Sequence, residues 1–164
     1  ATREMIDNDG WLHTGDVGEI DAGGFLKITD RKKHIFVSTG GKNIAPAPVE
    51  SLLGESRFID QIMLIGDKRP FCTALIVPDN TAMSEAGIPK EDTRMAIEME
   101  LDRLQVVLAG YERVRRFAVL PEAFTIENGM MTPTLKIRRK VVEERYADEI
   151  ESMYQLRPVE LSNN

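Results

Sequence analysis

Apolar and polar residues alternate between two glycine-marked turns, Asp9-Gly10 and Ala22-Gly23-Gly24, and this period of two predicts a β-hairpin from about Val17 to Thr29. "HIFVS" predicts a further strand, "GGKNIAP" a loop, and "APVESLLGES" a short helix with Pro48 near its first turn. The β-rich runs "DQIMLIGD" and "FCTALIVPD", separated by "KRP", predict neighbouring strands. From Thr93 the period changes. Ile97, Leu101, Leu104 and Leu108 fall at i, i+4, i+7 and i+11, one apolar stripe of a helix that Gly110 is expected to close. "RRFAVLP" predicts another strand, "ENGMMTPT" a loop, and Val142, Tyr146, Ile150 and Met153 a final helix, after which "RPVELSNN" is expected to fray. There is no internal repeat. The mixture points to an α+β fold: a small mixed sheet flanked by helices and preceded by a β-hairpin.

Composition narrows the class. The 164 residues suffice for one ordinary domain, or for a domain and a fragment of a neighbour, and 42% hydrophobic content suits a packed core. With 21 Lys and Arg against 27 Asp and Glu, the net charge of −6 repels a nucleic-acid backbone, and 6% aromatic content argues against a base-stacking platform. No nucleic-acid partner is expected, and any anion binding must be local. The lone Cys72 sits in an apolar run, without a partner for a disulfide or metal site, a usage that suits a reducing cytoplasm. No run of about 18 apolar residues occurs and no charged-then-apolar leader precedes the first strand, so neither a membrane span nor a secretory signal is expected. "ATREMIDNDG" is unlike a natural start, and the chain is expected to be a piece of something larger.

Three stretches carry candidate chemistry. In "WLHTGD", Asp16 either caps a tight turn with its own backbone or, held on that turn, accepts both hydroxyls of a vicinal diol. In "ITDRKKHIFVSTGGKNIAPAPVE", Arg31 is part of a solvated basic turn or reaches a nucleotide. Gly40 and Gly41 form a plain loop, or a surface without Cβ atoms that a thin ligand can approach. In "TPTLKIRRK", four basic residues crowd the last five positions. Thr132, Pro133 and Thr134 stiffen the approach to Lys136, which either begins a solvated basic helix or neutralises charge growing on a phosphate.

In this order, "DGWLHTGD", "GFLKITDRKK" with "GGKNIAPAPVE", and "TPTLKIRRK" before "YADEIESMY" resemble the C-terminal part of the adenylate-forming acyl-CoA synthetases, and within them the long-chain fatty acyl-CoA ligase branch. The resemblance covers nearly the whole chain. It implies that residues 1–30 end a larger N-terminal adenylation domain and residues 31–164 form the mobile C-terminal domain. It also implies that Asp16 grips the ribose hydroxyls of ATP, Arg31 contacts the nucleotide and Lys33 is the hinge, a lysine where many relatives carry an acid. Gly40 and Gly41 would line the passage for the pantetheine arm of CoA. Lys136 would be the catalytic lysine of adenylation, although relatives often place glycine where this chain has Leu135. Arg138, Arg139 and Lys140 inherit no chemical role and are expected to be solvated or to face a CoA phosphate.

The implied substrates are fatty acid, ATP (leaving as AMP) and CoA, with Mg²⁺ accompanying ATP but liganded mainly outside this chain, which is expected to hold no metal site. A phosphate loop and an acyl pocket are absent from the sequence, so the chain is expected to be inactive alone. The absent N-terminal domain is the expected partner, and peripheral membrane association of the full-length enzyme stays open. The alternative is the same domain of another adenylating enzyme, such as a fatty acyl-AMP ligase or an acyl-carrier-protein ligase.

Overall fold

The computed structural model describes residue 6, residues 9–31 and residues 35–155. The hinge position Lys33 and the frayed end expected at 157–164 lie outside the described residues.

Strand β1 (Asp16–Ile20) pairs antiparallel with β2 (Leu26–Arg31) in the expected hairpin, whose turn closes on Asp21: its Oδ1 accepts the Gly23 and Phe25 N–H groups at 2.8 and 2.9 Å. Side-chain acceptors two to four residues back are what make Asp a turn former. "HIFVS" contracts to β3 (Phe36–Val37), and the segment expected as a plain loop contains a second strand, β4 (Asn43–Ile44), antiparallel to β3. The correction has a local cause. Ile44 is an apolar residue 1% exposed, and burying it opposite Phe36 draws the loop's end into a ladder too short for periodicity to reveal.

Helix α1 (Pro46–Leu53) starts without a side-chain cap. Pro46 at its first position needs no N–H partner, and the helix ends where Gly54 N–H meets Glu50 O at 2.9 Å. Strands β5 (Ile59–Ile65) and β6 (Cys72–Pro78) pair antiparallel, as the spacing predicts. Next come α2 (Asn80–Glu85), a short helix that the apolar pattern does not announce, and α3 (Thr93–Leu104). These form the crossover that lets β7 (Val114–Val119) pair parallel to β6, giving the mixed sheet order β5-β6-β7.

The end of α3 departs from expectation. The helix gives way to a 3₁₀ turn at Gln105–Val107 rather than running to Gly110, because buried Gln105 turns its carboxamide oxygen to Val114 N–H at 3.0 Å. The predicted final helix is two helices, α4 (Arg139–Arg145) and α5 (Ala147–Gln155), separated at Tyr146. Tyr146 is buried, and its hydroxyl donates to Glu122 Oε1 at 3.1 Å.

The sheet is covered on both faces. Ile62, Leu64, Ala74 and Ile76 point into a core completed by Phe36, Ile44, Val49, Leu53, Ile97 and Leu101. Their alternates Met63, Ile65, Leu75 and Val77 meet Phe124, Met130, Val142, Tyr146, Ile150 and Met153 on the other side. Successive strand side chains face opposite ways, so a strand buried on both faces reads as the unbroken apolar runs seen in β5 and β6. Cys72 belongs to the first core and is fully buried.

Candidate functional site

The predicted site residues occupy three turns. At the first, Thr14 Oγ1 accepts the Asp16 N–H at 3.1 Å and Gly15 takes φ +75°, a turn that starts β1 at the aspartate. In the hairpin register Asp16 stands opposite Arg31. Two residues 15 apart in sequence, proposed for one ligand on separate grounds, are thus cross-strand partners at the open end of one ribbon. Strand β2 runs close to α1.

The second turn joins β3 to β4. Gly41 adopts φ +71°, which an L side chain rarely takes, so its glycine answers a backbone requirement. Gly41 N–H donates to Ser38 O at 2.9 Å, Ser38 N–H to Lys42 O at 3.0 Å, and Lys42 N–H to Ser38 Oγ at 3.1 Å. The turn is also tied to the β5–β6 connection. Thr39 N–H donates to Arg69 O at 3.1 Å, Lys68 N–H to Val37 O at 2.9 Å, and Val37 N–H to Asp67 Oδ1 at 3.2 Å. A Cβ added at Gly41 would meet nothing within 4 Å, and at Gly40 only Ser38 Oγ at 3.8 Å. Both glycines therefore face open space, and backbone is what they present to an incoming molecule.

The third turn carries Lys136. Met131 and Ile137 form an antiparallel bridge, Thr132 N–H donates to Lys136 O at 2.9 Å, and Leu135 N–H donates to Thr132 O at 2.9 Å. Thr132 Oγ1 accepts the Lys136 N–H and lies within hydrogen-bond distance of Thr134 Oγ1, both at 3.1 Å. The threonines thus stiffen the loop by direct contact, while the Lys136 side chain is exposed. Leu135 takes φ +57° at a cost of about 1–2 kcal/mol for a residue with a Cβ. It stands in a conformation that glycine takes without this cost.

The basic run after Lys136 is not one solvated patch, which corrects the expectation for Arg139. Its guanidinium lies over the Phe36 ring at 5.0 Å from the centroid, donates through one terminal nitrogen to Glu50 Oε1 at 2.6 Å, and through the other to Leu64 O. Glu50 Oε1 accepts the Leu64 N–H as well, at 2.7 Å. The planar fork of an arginine suits two acceptors at once, and a half-buried carboxylate favours a cation beside it. Arg138 is exposed and donates to Gly129 O at 3.2 Å. Neither Glu50 nor Arg139 is legible as a pair in sequence, where 89 positions separate them.

A cavity of about 730 Å³ lies elsewhere, between α2 and the end of β7, bounded by Met83, Ile88, Lys90 and Pro121 among others. No predicted site residue lines it. Among the described residues no cluster of three His, Cys, Asp or Glu side chains is placed to hold a metal ion, and no helix is long and apolar enough to cross a membrane.

Residues 33–157 match the family model of the AMP-binding enzyme C-terminal domain. The chain belongs to this family. It is 39% identical over 168 residues to the long-chain-fatty-acid–CoA ligase FadD15 of Mycobacterium tuberculosis, an alignment covering 94% of this chain and 28% of that protein. To the peroxisomal long chain acyl-CoA synthetase 7 of Arabidopsis thaliana it is 38% identical, over 93% of this chain and 24% of that one. Among solved structures, the A domain of a carboxylic acid reductase from Segniliparus rugosus, in complex with AMP and a carboxylic acid, superposes with a TM-score of 0.79 at 30% identity, covering 92% of this chain and 24% of that one. The domain thus spans about a quarter of the length of the relatives it matches. The second and third turns lie within the residues matched by the family model.

Proposed function

We propose that this domain is the mobile C-terminal part of a cytoplasmic long-chain fatty acid–CoA ligase, with residues 1–30 ending the preceding domain and the hinge at Lys33. The observation that carries the reading is the Lys136 turn: an exposed lysine on a short loop braced by Thr132 and preceded by a residue in the left-handed conformation. In the first half-reaction a fatty-acid carboxylate oxygen attacks the α-phosphorus of ATP and pyrophosphate leaves. Lys136 then stabilises the negative charge shared by the carboxylate and the α-phosphate, a contribution made mainly in the transition state. Asp16 and Arg31, opposite each other on one ribbon, suit the ribose hydroxyls and the nucleotide. Mg²⁺ would travel with ATP and take its ligands from the rest of the protein.

In the second half-reaction the CoA sulfur attacks the acyl carbon and AMP leaves. The Gly40–Gly41 turn, which offers backbone and open space, suits the pantetheine arm. Because the two turns are separate structures, rotation of the domain about its hinge would present one and then the other. The domain alone would be inactive. A second reading draws on the likeness to the carboxylic acid reductase, also solved as an A-PCP didomain: the acceptor is the pantetheine of a carrier protein. Transfer by the full-length protein to a carrier but not to free CoA would select it.

The test of the lysine's role is Lys136→Ala in the full-length protein. Fatty-acid-dependent ATP–pyrophosphate exchange should fall by about 10²-fold or more, while conversion of supplied acyl-adenylate to thioester stays close to that of the parent. Equal loss of both half-reactions would overturn the assignment.

A further inference from the structure

Beyond the lysine itself, we infer that Arg139 is a positioning residue for Lys136, fixing the base of its loop to the same elements that carry the Gly40–Gly41 turn. The inference rests on the function proposed above for Lys136.

The lysine loop touches the body of the domain mainly at its base. Within the loop the described hydrogen bonds run from Thr132 to its own neighbours, so they set its shape and not its direction. Direction comes from its base, where Met131 N–H donates to Thr125 O at 2.9 Å and Met131 and Ile137 pack against the second core, and from the residues just after it. Arg138 N–H donates to Met130 O at 2.8 Å, and Arg139, the first residue of α4, reaches three elements at once. Those are β3 through the Phe36 ring, α1 through Glu50, and β5 through the Leu64 carbonyl. Glu50 in turn holds the Leu64 N–H, so one carboxylate and one guanidinium close both polar groups of a single strand residue.

The side chains of the pair are only 21% and 19% exposed. To engage both terminal nitrogens, Arg139 leaves its Nε buried and without a hydrogen-bond partner among the described residues. An orphaned buried donor is costly, which argues that the two-armed contact is required where it stands. Two residues separate Arg139 from Lys136, too few for a misdirected helix start to be absorbed before the ammonium. The Gly40–Gly41 turn differs. It is fixed by the backbone of its own ladder and by the β5–β6 connection, and Arg139 reaches it only through the Phe36 ring. Loss of the guanidinium should therefore move the lysine and spare the glycine turn.

The experiment is a double-mutant cycle in the full-length protein, reading both half-reactions. Arg139→Met should lower the kcat of pyrophosphate exchange by about 10- to 100-fold, the scale on which a misplacement of about 1 Å acts. KM for ATP and the thioester half-reaction from supplied acyl-adenylate should change little. Adding Arg139→Met to Lys136→Ala should cost nothing further, since a residue acting through the lysine has no effect once the lysine is gone. Glu50→Gln keeps an acceptor for Leu64 N–H and removes only the charge that orients Arg139. It should give the same selective loss at smaller size, and it decides the matter if Arg139→Met does not fold. Parallel loss of both half-reactions, or an additive double variant, would overturn the inference and leave Arg139 a structural residue. If Lys136→Ala itself retains exchange, the proposed function of the lysine falls and this inference falls with it.

Discussion

The two central turns of the domain, at Gly40–Gly41 and at Lys136, solve one geometric problem in opposite ways. Each reverses the chain within a few residues and each places one residue at a positive φ, +71° at Gly41 and +57° at Leu135. The glycine turn joins two strands whose inner residues, Phe36 and Ile44, sit in the first core, and it is bonded to the β5–β6 connection on a second side. The lysine turn is held only at its base, by the Met131–Ile137 bridge, the Met131 N–H to Thr125 O bond and the residues that follow it, and beyond that by its own threonines. On the function proposed above, a passage that shows backbone to a ligand would benefit from being built into the core, whereas a side chain delivered to a second site would benefit from standing clear of it. The contrast predicts that damage to the first turn appears as lost stability and damage to the second as lost catalysis.

The largest expected effect tests how deeply the glycine turn is rooted. Ile44→Ala removes a side chain 1% exposed and should destabilise the domain by about 2–5 kcal/mol. Ile137→Ala, at the half-buried base of the lysine turn, should cost less than half as much. Urea unfolding of the two variants measures the difference, and equal costs would erase the distinction.

A smaller effect comes from the floor under the glycine turn, where a Cβ at Gly66 would lie 3.1 Å from the Phe36 ring and 3.3 Å from Cys72 Sγ. Burial, reinforced by the Glu112 carboxylate, pushes the Cys72 thiol from 9.0 up to about 11. The folded state therefore holds this proton more tightly than the unfolded chain does. The associated stability is complete below pH 9 and is lost as the pH rises through about 11, a change of about 2.7 kcal/mol for a shift of about two pH units. Against pH, the stability gap between the parent and Cys72→Ala should narrow by that amount across this interval. A constant gap would mean that the thiolate is accommodated.

The legibility of these regions from sequence follows the range of the forces involved. Strands β5 and β6 and the stripe Ile97, Leu101 and Leu104 were readable because a core imposes period and continuity on neighbouring residues. Asp16, Arg31, Gly40, Gly41 and Lys136 stood out through motifs, and in the fold they occupy a turn start, a cross-strand pair, a positive φ and an exposed loop. Other features escaped, helix α2 and the break at Tyr146 among them. The two-residue ladder of β4 is too short for any period, and the end of α3 depends on Gln105 meeting Val114 from outside the helix. Arg139 looked solvated because Glu50, its partner, lies on an element that only the folded sheet brings near.

The smallest effect tests the turns against each other. Gly41→Ala places a Cβ at φ +71° and should destabilise by about 1 kcal/mol, although that Cβ would touch nothing. Leu135→Gly runs the other way. It removes a left-handed cost of about 1–2 kcal/mol and adds about 0.5–1 kcal/mol of unfolded-chain entropy, a net gain of about 0.5–1 kcal/mol. Little packing is forfeited, because Leu135 is 68% exposed. Thermal unfolding of both variants should thus give shifts of opposite sign. Pyrophosphate exchange supplies the functional half of the comparison: a glycine beside Lys136 frees the backbone that the leucine restricts, so Leu135→Gly in the full-length protein should gain stability and lose exchange rate together. If it loses stability instead, the leucine side chain is anchored by contacts that outweigh its backbone cost. The lysine turn would then be as firmly built as the glycine turn, and its mobility could come only from movement of the whole domain.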